Sequence, residues 1–371
     1  MDFAKLANPQ ILRIKPYVPG RLIEEDILKL ASNENLLGPP ESVVRALCEH
    51  ATMVNYYPDS DCQEVRQALA DHWGITPEEI IMGNGAVEHI YNVCTAFISP
   101  GEKVMFPWPS FAIFHIAATI QDAHLEMVPL TPDFQFDFDL LIQRYREFSP
   151  KLIFLNNPNN PTGSWFSEQE LVRLLEAVDP EHTLIFLDEA YVQFVDAADF
   201  PDSLKLRREF PNLVILRTFA KIYGLAGLRI GALIGPPQFI DLINRVRDPF
   251  NVNRLAQVAL LAALKDEAYY QKSRELVIRD RNYLMQKFDE RGIRYVPTQT
   301  NFLFFDSGVD GEELFRRMME EEKITMRPMT GYGLPSWFRA SVPSDLAQCD
   351  RFLEALERQR TRLIEEGLAV G

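Results

Sequence analysis

Cysteine is sparse in this chain. Cys48, Cys62, Cys94 and Cys349 are the only four, they stand far apart, and none forms a Cys-x-x-Cys pair. That argues against a disulfide framework and a Cys-ligated zinc site, and leaves free, mostly buried thiols in a reducing compartment as the expectation. The six histidines show no His-Glu-x-x-His spacing, so no catalytic metal is expected. Basic residues are few beside the acids, 38 against 53, for a formal charge of -15. Such a balance repels polyanions, which makes nucleic acid and anionic membranes poor partners and requires any phosphate to be met locally, by a few placed cations and backbone N–H groups. Long apolar runs are missing too: the longest uncharged one, residues 255–264, is half of the about 20 residues that a membrane span needs. The first twenty residues carry charges and prolines where a signal peptide needs an apolar core. No Gly/Ser linker, Gln/Asn tract or fixed-period repeat interrupts the chain. A soluble, cytoplasmic, packed protein is the expectation.

What is present is an apolar content of 47% over 371 residues, enough for a sizeable core and, by length, about two domains. Between residues 41 and 235, amphipathic helical stretches (61–73, 87–98, 167–178) alternate with short apolar runs (103–106, 152–156, 184–188, 213–218, 230–234). Several runs are continuously β-branched or aromatic, as strands buried on both faces are. An α/β fold is predicted, with a mostly parallel sheet covered by helices on both faces of a large domain. Most of these runs end in polar or turn residues, which directs attention to their carboxyl ends. From residue 253 a helical pattern continues to 291, and its polar second half suggests an element leaving the large domain. The remainder reads as strand 301–305, helix 311–322, strands 325–328 and 337–342, and a terminal helix from Asp345, a smaller α+β domain. The expected division is an N-terminal arm (1–40) joining the small domain, a large domain (41–270) and the small C-terminal domain (271–371).

Four segments carry chemistry. Leu187-Asp188-Glu189-Ala190-Tyr191 ends an apolar run in two carboxylates; this reads either as a turn acid or helix cap, or as a buried acid that requires a cationic partner. Thr218-Phe219-Ala220-Lys221 closes another run. Its lysine could merely snorkel outward. Thr218 before it and Arg229 after it would also let a hydroxyl and a guanidinium converge on one phosphate while Lys221 reaches a carbonyl carbon above. Gly83-Asn84-Gly85-Ala86-Val87-Glu88 is a small-residue turn opening a helix; it misses the dinucleotide fingerprint at Glu88 but suits an anion at a helix N-terminus. Asn157-Pro158-Asn159-Asn160-Pro161-Thr162-Gly163 is a stiff turn, either structural or holding Asn160 to donate one directed hydrogen bond. Together the four supply what pyridoxal 5'-phosphate (PLP) needs: a lysine for its aldehyde, an acid for its pyridine nitrogen and a cradle for its phosphate.

With these residues the chain resembles the fold-type I PLP enzymes and, within them, the histidinol-phosphate aminotransferase family, over almost its full length. The resemblance implies that Lys221 carries PLP, that Asp188 partners the pyridinium, and that Tyr191 and Asn160 hydrogen-bond the ring oxygen. It implies Thr218, Arg229 and the backbone of Ala86 and Val87 as phosphate ligands, helped by Tyr57 from the other subunit of a homodimer, with Phe111 stacked on the ring. Arg339, in Trp337-Phe338-Arg339-Ala340-Ser341-Val342, matches the arginine for the substrate carboxylate. Tyr17, Tyr57, Asn160 and Arg327 match the candidates for a substrate phosphate. Pro16-Tyr17-Val18-Pro19-Gly20 and Lys29-Leu30-Ala31-Ser32-Asn33-Glu34-Asn35 are typical of this branch.

Three positions depart from the family pattern. Ala220 stands where many members have a serine, Phe111 replaces a commoner tyrosine, and Val342-Pro343-Ser344 replaces a commoner Gly-Thr ending. The implied activity is transamination of L-histidinol phosphate with 2-oxoglutarate, the substrates being small molecules with an anion at the end far from the amine. An aromatic or broad-specificity aminotransferase, a threonine-phosphate decarboxylase and a non-enzymatic PLP-binding regulator are the alternatives.

Overall fold

The computed structural model describes residues 1–16 and 26–370. In chain order its strands are β1 (Leu28–Lys29), β2 (Ile80–Asn84), β3 (Lys103–Trp108), β4 (His124–Pro129), β5 (Leu152–Asn156), β6 (Leu184–Asp188), β7 (Leu213–Thr218), β8 (Ile230–Ile234), β9 (Tyr295–Val296), β10 (Phe302–Asp306), β11 (Ile324–Thr325), β12 (Arg327–Met329) and β13 (Leu334–Ser341). Seven form one sheet in the order β2-β8-β7-β6-β5-β3-β4. Only β8 runs against its neighbours, being antiparallel to β2 and β7, while the remaining pairs are parallel.

Alternation along the strands explains the continuous apolar runs. Leu152, Phe154, Phe186, Val214 and Leu216 pack on one face, with Ile90 and Val93 of helix Ala86–Phe97 and Phe114 of helix Ala112–Ile120. Ile153, Leu155, Ile185, Leu187 and Leu213 pack on the other, with Leu141 of helix Phe138–Phe148 and Leu171 and Leu174 of helix Glu168–Ala177. Both faces are therefore dry, and the central strands β5 and β6 are apolar at every position until they reach the carboxyl edge. There the register sets Asn156 beside Asp188, and Asp188 beside Leu216, two residues short of Thr218.

The second sheet, in the order β12-β13-β10-β9, is antiparallel throughout. β1 and β11 make a separate parallel pair. A hydrophobic cluster gathers Leu303, Phe305, Phe338 and Phe352 with Leu28 and Leu30 from the N-terminal segment.

Local readings differ from the structure in three places. The helical pattern over 253–291 is two helices, Arg254–Leu264 and Glu267–Glu290, because Asp266 caps the second by accepting from the Tyr269 N–H at 3.1 Å. Within the second helix, Val277 packs with the large-sheet residues and Leu284 and Phe288 with the small-sheet cluster. The strand expected at 325–328 divides: Thr325 pairs with Lys29, and Arg327 with Arg339. β2 and β4 were not expected. β2 offers only three apolar residues before it ends in Gly83-Asn84, and β4 is an edge strand that carries His124 and Glu126, so neither has the apolar signature of a central strand.

Candidate active site

Asp188 and Glu189 sit together at the end of β6 but fare differently. Glu189 takes both Nε and Nη2 of Arg217 on one carboxylate oxygen, at 3.0 and 2.8 Å, and Arg217 in turn lies over the Trp73 ring at 5.3 Å. It is a structural ion pair. Asp188 is buried and accepts only the Ala190 N–H, at 3.0 Å, and no cation pairs with it among the described residues. Burial, with the Glu189 charge adding to it, raises its pKa to about 7, against the Ala190 hydrogen bond and Lys221, which lower it. Such a carboxyl calls for a cation, and among the described residues only Lys221 acts on it at electrostatic range.

Lys221 lies three residues beyond β7 and turns inward. Its Nζ donates to the Ser32 carbonyl at 3.2 Å and stands 5.9 Å from the centroid of the Tyr191 ring. Burial lowers its pKa to about 8, with Arg339 and Arg229 adding to the effect and Glu34 and Asp188 opposing it. The inward reading of the strand-end lysine is therefore the one observed, and its amine is within reach of neutrality at physiological pH.

The anion cradle is built by two glycines. Gly85 caps helix Ala86–Phe97 with φ +76°, and a Cβ there would lie 2.4 Å from Nη2 of Arg229. A Cβ on Gly231 would lie 2.6 Å from the Ala86 nitrogen. The guanidinium thus lies directly against the helix N-terminus, where free N–H groups and the helix dipole favour an anion. Arg229 holds φ +57°, donates Nη1–H to the Ala226 carbonyl at 3.1 Å, and makes no ion pair among the described residues. Thr218 ends β7, buried, with its hydroxyl oxygen accepting the Ala220 N–H at 3.2 Å. Glu88 folds back on the Asn84 N–H and holds Asn251 at 3.0 Å, so the acid that spoils the dinucleotide fingerprint is part of the turn.

On the opposite side, Asn160 follows β5. Its backbone N–H donates to the Asn156 side chain at 2.8 Å, and its side-chain oxygen accepts from Nη1 of Arg339 at 2.5 Å. Arg339 also donates Nη2–H to the Ala31 carbonyl at 2.8 Å and lies over the Phe302 ring at 5.4 Å. Arg327 is its register partner on β12, so the two cationic side chains leave the same face of the small sheet. Tyr191 is buried, its ring edge-on to Phe302 at 5.1 Å, and its hydroxyl accepts from Nδ2 of Asn33 at 2.9 Å. Phe111 caps helix Ala112–Ile120; the segment before it is tied to the Asn160 turn by Ser110 donating to Asn159 at 2.9 Å.

Two expected members are not brought here. Tyr57 is 77% exposed and stacks on Phe250 with centroids 4.5 Å apart, away from the residues around Lys221 in this chain. Tyr17 lies outside the described residues. The structure adds three members that sequence reasoning left without a role: the carbonyls of Ala31 and Ser32 and the side chain of Asn33. Their signal was the Lys29-Leu30-Ala31-Ser32-Asn33-Glu34-Asn35 block, typical of the branch but without a role assigned to any of its residues.

The family model for aminotransferase class I and II matches residues 25–356. A histidinol-phosphate aminotransferase from Anaeromyxobacter sp. (strain Fw109-5) is 43% identical over 346 residues, covering 91% of this chain and 94% of its own length. The crystal structure of a histidinol-phosphate aminotransferase from Sinorhizobium meliloti in complex with pyridoxal-5'-phosphate is similar with a TM-score of 0.87 at 28% identity, over 96% of this chain and 98% of that one. L-threonine-O-3-phosphate decarboxylase from Porphyromonas gingivalis is similar with a TM-score of 0.77 at 26% identity, over 90% of this chain and 99% of that one. On the matched length and this likeness, the chain belongs to the class I and II aminotransferases.

Proposed function

We propose that this chain is a PLP-dependent transaminase that converts L-histidinol phosphate and 2-oxoglutarate to imidazole acetol phosphate and glutamate. The observation that carries the cofactor is the convergence at one sheet edge of an inward lysine, an acid with no cation paired to it among the described residues, and a guanidinium seated on a helix N-terminus. These residues fit PLP: the cradle of Gly85, Ala86, Val87, Thr218 and Arg229 suits its phosphate, and Asp188 suits its ring nitrogen. The 43% identical relative supports a phosphorylated amine as substrate, and Arg327 and Arg339 leave the same face of the small sheet. The likeness to the decarboxylase rests on a lower identity, 26%.

PLP supplies an aldehyde that links to amines and a ring that takes up the electrons left when the substrate carbon loses its proton. Lys221 would hold PLP through its Nζ. The same Nζ, its pKa lowered by burial, would be the base that moves the proton of the substrate carbon. Asp188 would hold a proton at the ring nitrogen, Asn160 and Tyr191 would hydrogen-bond the ring oxygen, and Phe111 would pack on the ring. Arg339 would bind a substrate carboxylate.

The same reading includes a cytoplasmic homodimer in which Tyr57 reaches the other copy's site. Supporting it, Val54, Tyr56, Tyr57 and Phe250 form an exposed apolar patch, with 64%, 62%, 77% and 42% exposure. It also divides the chain at helix Glu267–Glu290 into a large domain (41–270) and a small one (271–371), joined by the 1–40 arm, since that helix packs into both clusters.

The test is the visible spectrum of the purified protein as histidinol phosphate is added without a 2-oxo acid. A yellow band that fades and returns on adding 2-oxoglutarate supports both reaction class and substrate. A band unmoved by this amine sinks the substrate, and carbon dioxide released from threonine phosphate would replace it with the lyase. A protein that PLP cannot turn yellow sinks the whole reading.

A further inference from the structure

Residues 31–33 each touch a different member of the site. The Ala31 carbonyl accepts from Arg339, the Ser32 carbonyl accepts from Lys221, and Asn33 donates its side-chain N–H to the Tyr191 hydroxyl. Asn33 is the most constrained of the three. It is 1% exposed and holds φ +55°, a left-handed conformation that Asn tolerates better than most residues. Its backbone N–H donates to the Ser341 hydroxyl at 2.8 Å, and its carbonyl accepts from the Asn301 side chain at 3.1 Å. Ser341 ends β13 and Asn301 precedes β10. The backbone of Asn33 is therefore pinned by residues of the small sheet, while its side chain points at a residue at the edge of the large one.

That geometry fixes the direction of a hydrogen bond. A phenol has one hydrogen and two acceptor positions. Because Asn33 Nδ2 is the donor in the 2.9 Å contact, the Tyr191 oxygen is the acceptor there and its own hydrogen points elsewhere. The ring is already held by Phe302, edge-on at 82°, so the hydroxyl has little freedom to swing. We propose that Asn33 is a positioning residue that acts through Tyr191, turning the phenol into a hydrogen-bond donor toward the ring oxygen of the cofactor. This rests on the PLP reading above. A hydrogen bond donated to the ring oxygen draws electron density from the lysine nitrogen beside it, so that losing the bond raises the pH at which that nitrogen releases its proton.

The experiment is a pH titration of the visible band of the holoenzyme, without substrate, for wild type, Asn33→Gly, Tyr191→Phe and the double variant, with kcat/KM and Tm measured on each. Glycine accepts φ +55° and keeps both backbone hydrogen bonds of Asn33, so that only the contact to Tyr191 is deleted. Asn33→Gly should move the titration midpoint upward, in the same direction as Tyr191→Phe and by less, and lower kcat/KM by about tenfold, the scale of one hydrogen bond. In the Tyr191→Phe background, Asn33→Gly should add no further shift. An unchanged midpoint, or an equal shift with and without the Tyr191 hydroxyl, would overturn the inference and leave Asn33 as a structural residue. If Asn33→Gly does not fold, Asn33→Asp decides: it offers only acceptors to the phenol, turns the hydroxyl hydrogen toward residue 33, and should shift the midpoint upward as well. A wild-type protein without a visible band overturns the cofactor reading and this inference together, whereas a normal wild-type titration with unresponsive variants overturns this inference alone.

Discussion

Arg339 and Asn160 are joined by a 2.5 Å hydrogen bond from Nη1 to the asparagine's side-chain oxygen, although one lies on β13 of the small sheet and the other in the turn after β5 of the large one. With its oxygen so engaged, Asn160 has its amide orientation fixed, and its amide hydrogens remain for another acceptor. One bond thus orients two groups of the proposed site, one for substrate and one for cofactor.

Replacing Arg339 by Ala should therefore weaken both. Hydrogen bonds to charged groups are worth about 1.5–3 kcal/mol, so kcat/KM for the amine and for 2-oxoglutarate should fall by about 10- to 100-fold, mainly through KM. Arg339→Lys should recover little, because a single ammonium cannot serve Ala31, Asn160 and a carboxylate together. Steady-state kinetics with both substrates checks this; unchanged KM values would remove Arg339 from the substrate site.

Asp188 links stability to pH in the cofactor-free protein. Its folded pKa of about 7 lies above the ordinary 3.8, so between these values the folded state binds the proton more tightly than the unfolded one. Its contribution to stability is fully present below about 4 and is lost as pH rises through about 7. Asp188→Asn should flatten that part of the Tm-versus-pH curve and make the apoprotein more stable than wild type above pH 7. The same variant should still take up PLP and yet lose most of its turnover. A melting curve whose pH dependence matches wild type would show that Asp188 is ionised at neutral pH in the fold.

Gly85→Ala tests the cradle. The added methyl meets Arg229 Nη2 at 2.4 Å and must also adopt φ +76°, so the guanidinium is displaced and the helix N-terminus partly covered. PLP affinity should drop by about tenfold or more, on the scale of a lost charge-assisted contact, with a Tm loss of a few degrees. Equilibrium dialysis of PLP gives the affinity directly; an unaltered value would place the phosphate elsewhere.

Lys221→Ala should abolish turnover while leaving the fold intact. In the wild-type apoprotein, the rate at which PLP becomes attached should rise with pH and level off above about 8, where Nζ is neutral. A flat profile from pH 6 to 9 would contradict the lowered pKa, and near-normal transamination by the alanine variant would contradict the role.

Much of the large sheet was legible in the sequence. β5, β6, β7 and β8 occupy the spans read from the apolar runs, because strands in the middle of a sheet covered on both faces are apolar over nearly their whole length. The ambiguous carboxylate pair was not legible: nothing in Leu187-Asp188-Glu189 says which acid is satisfied, and the answer depends on Arg217 one strand away. Nor was the inward turn of Lys221, which depends on the Ser32 carbonyl 189 residues earlier in the chain.

The sequence by itself determined the central strands β5 to β8 and their polar ends and, by resemblance, pointed to a lysine, an acid and an arginine as candidates for the cofactor. Periodicity and strand-end chemistry are local properties that a linear reading can see. The tertiary structure alone decided that residues 325–328 serve two sheets, that Gly85 lies against Arg229, and that Asn33 meets Tyr191, 158 positions apart. Contacts between distant segments are set by how whole layers pack, and no residue carries a mark of the partner it will meet there.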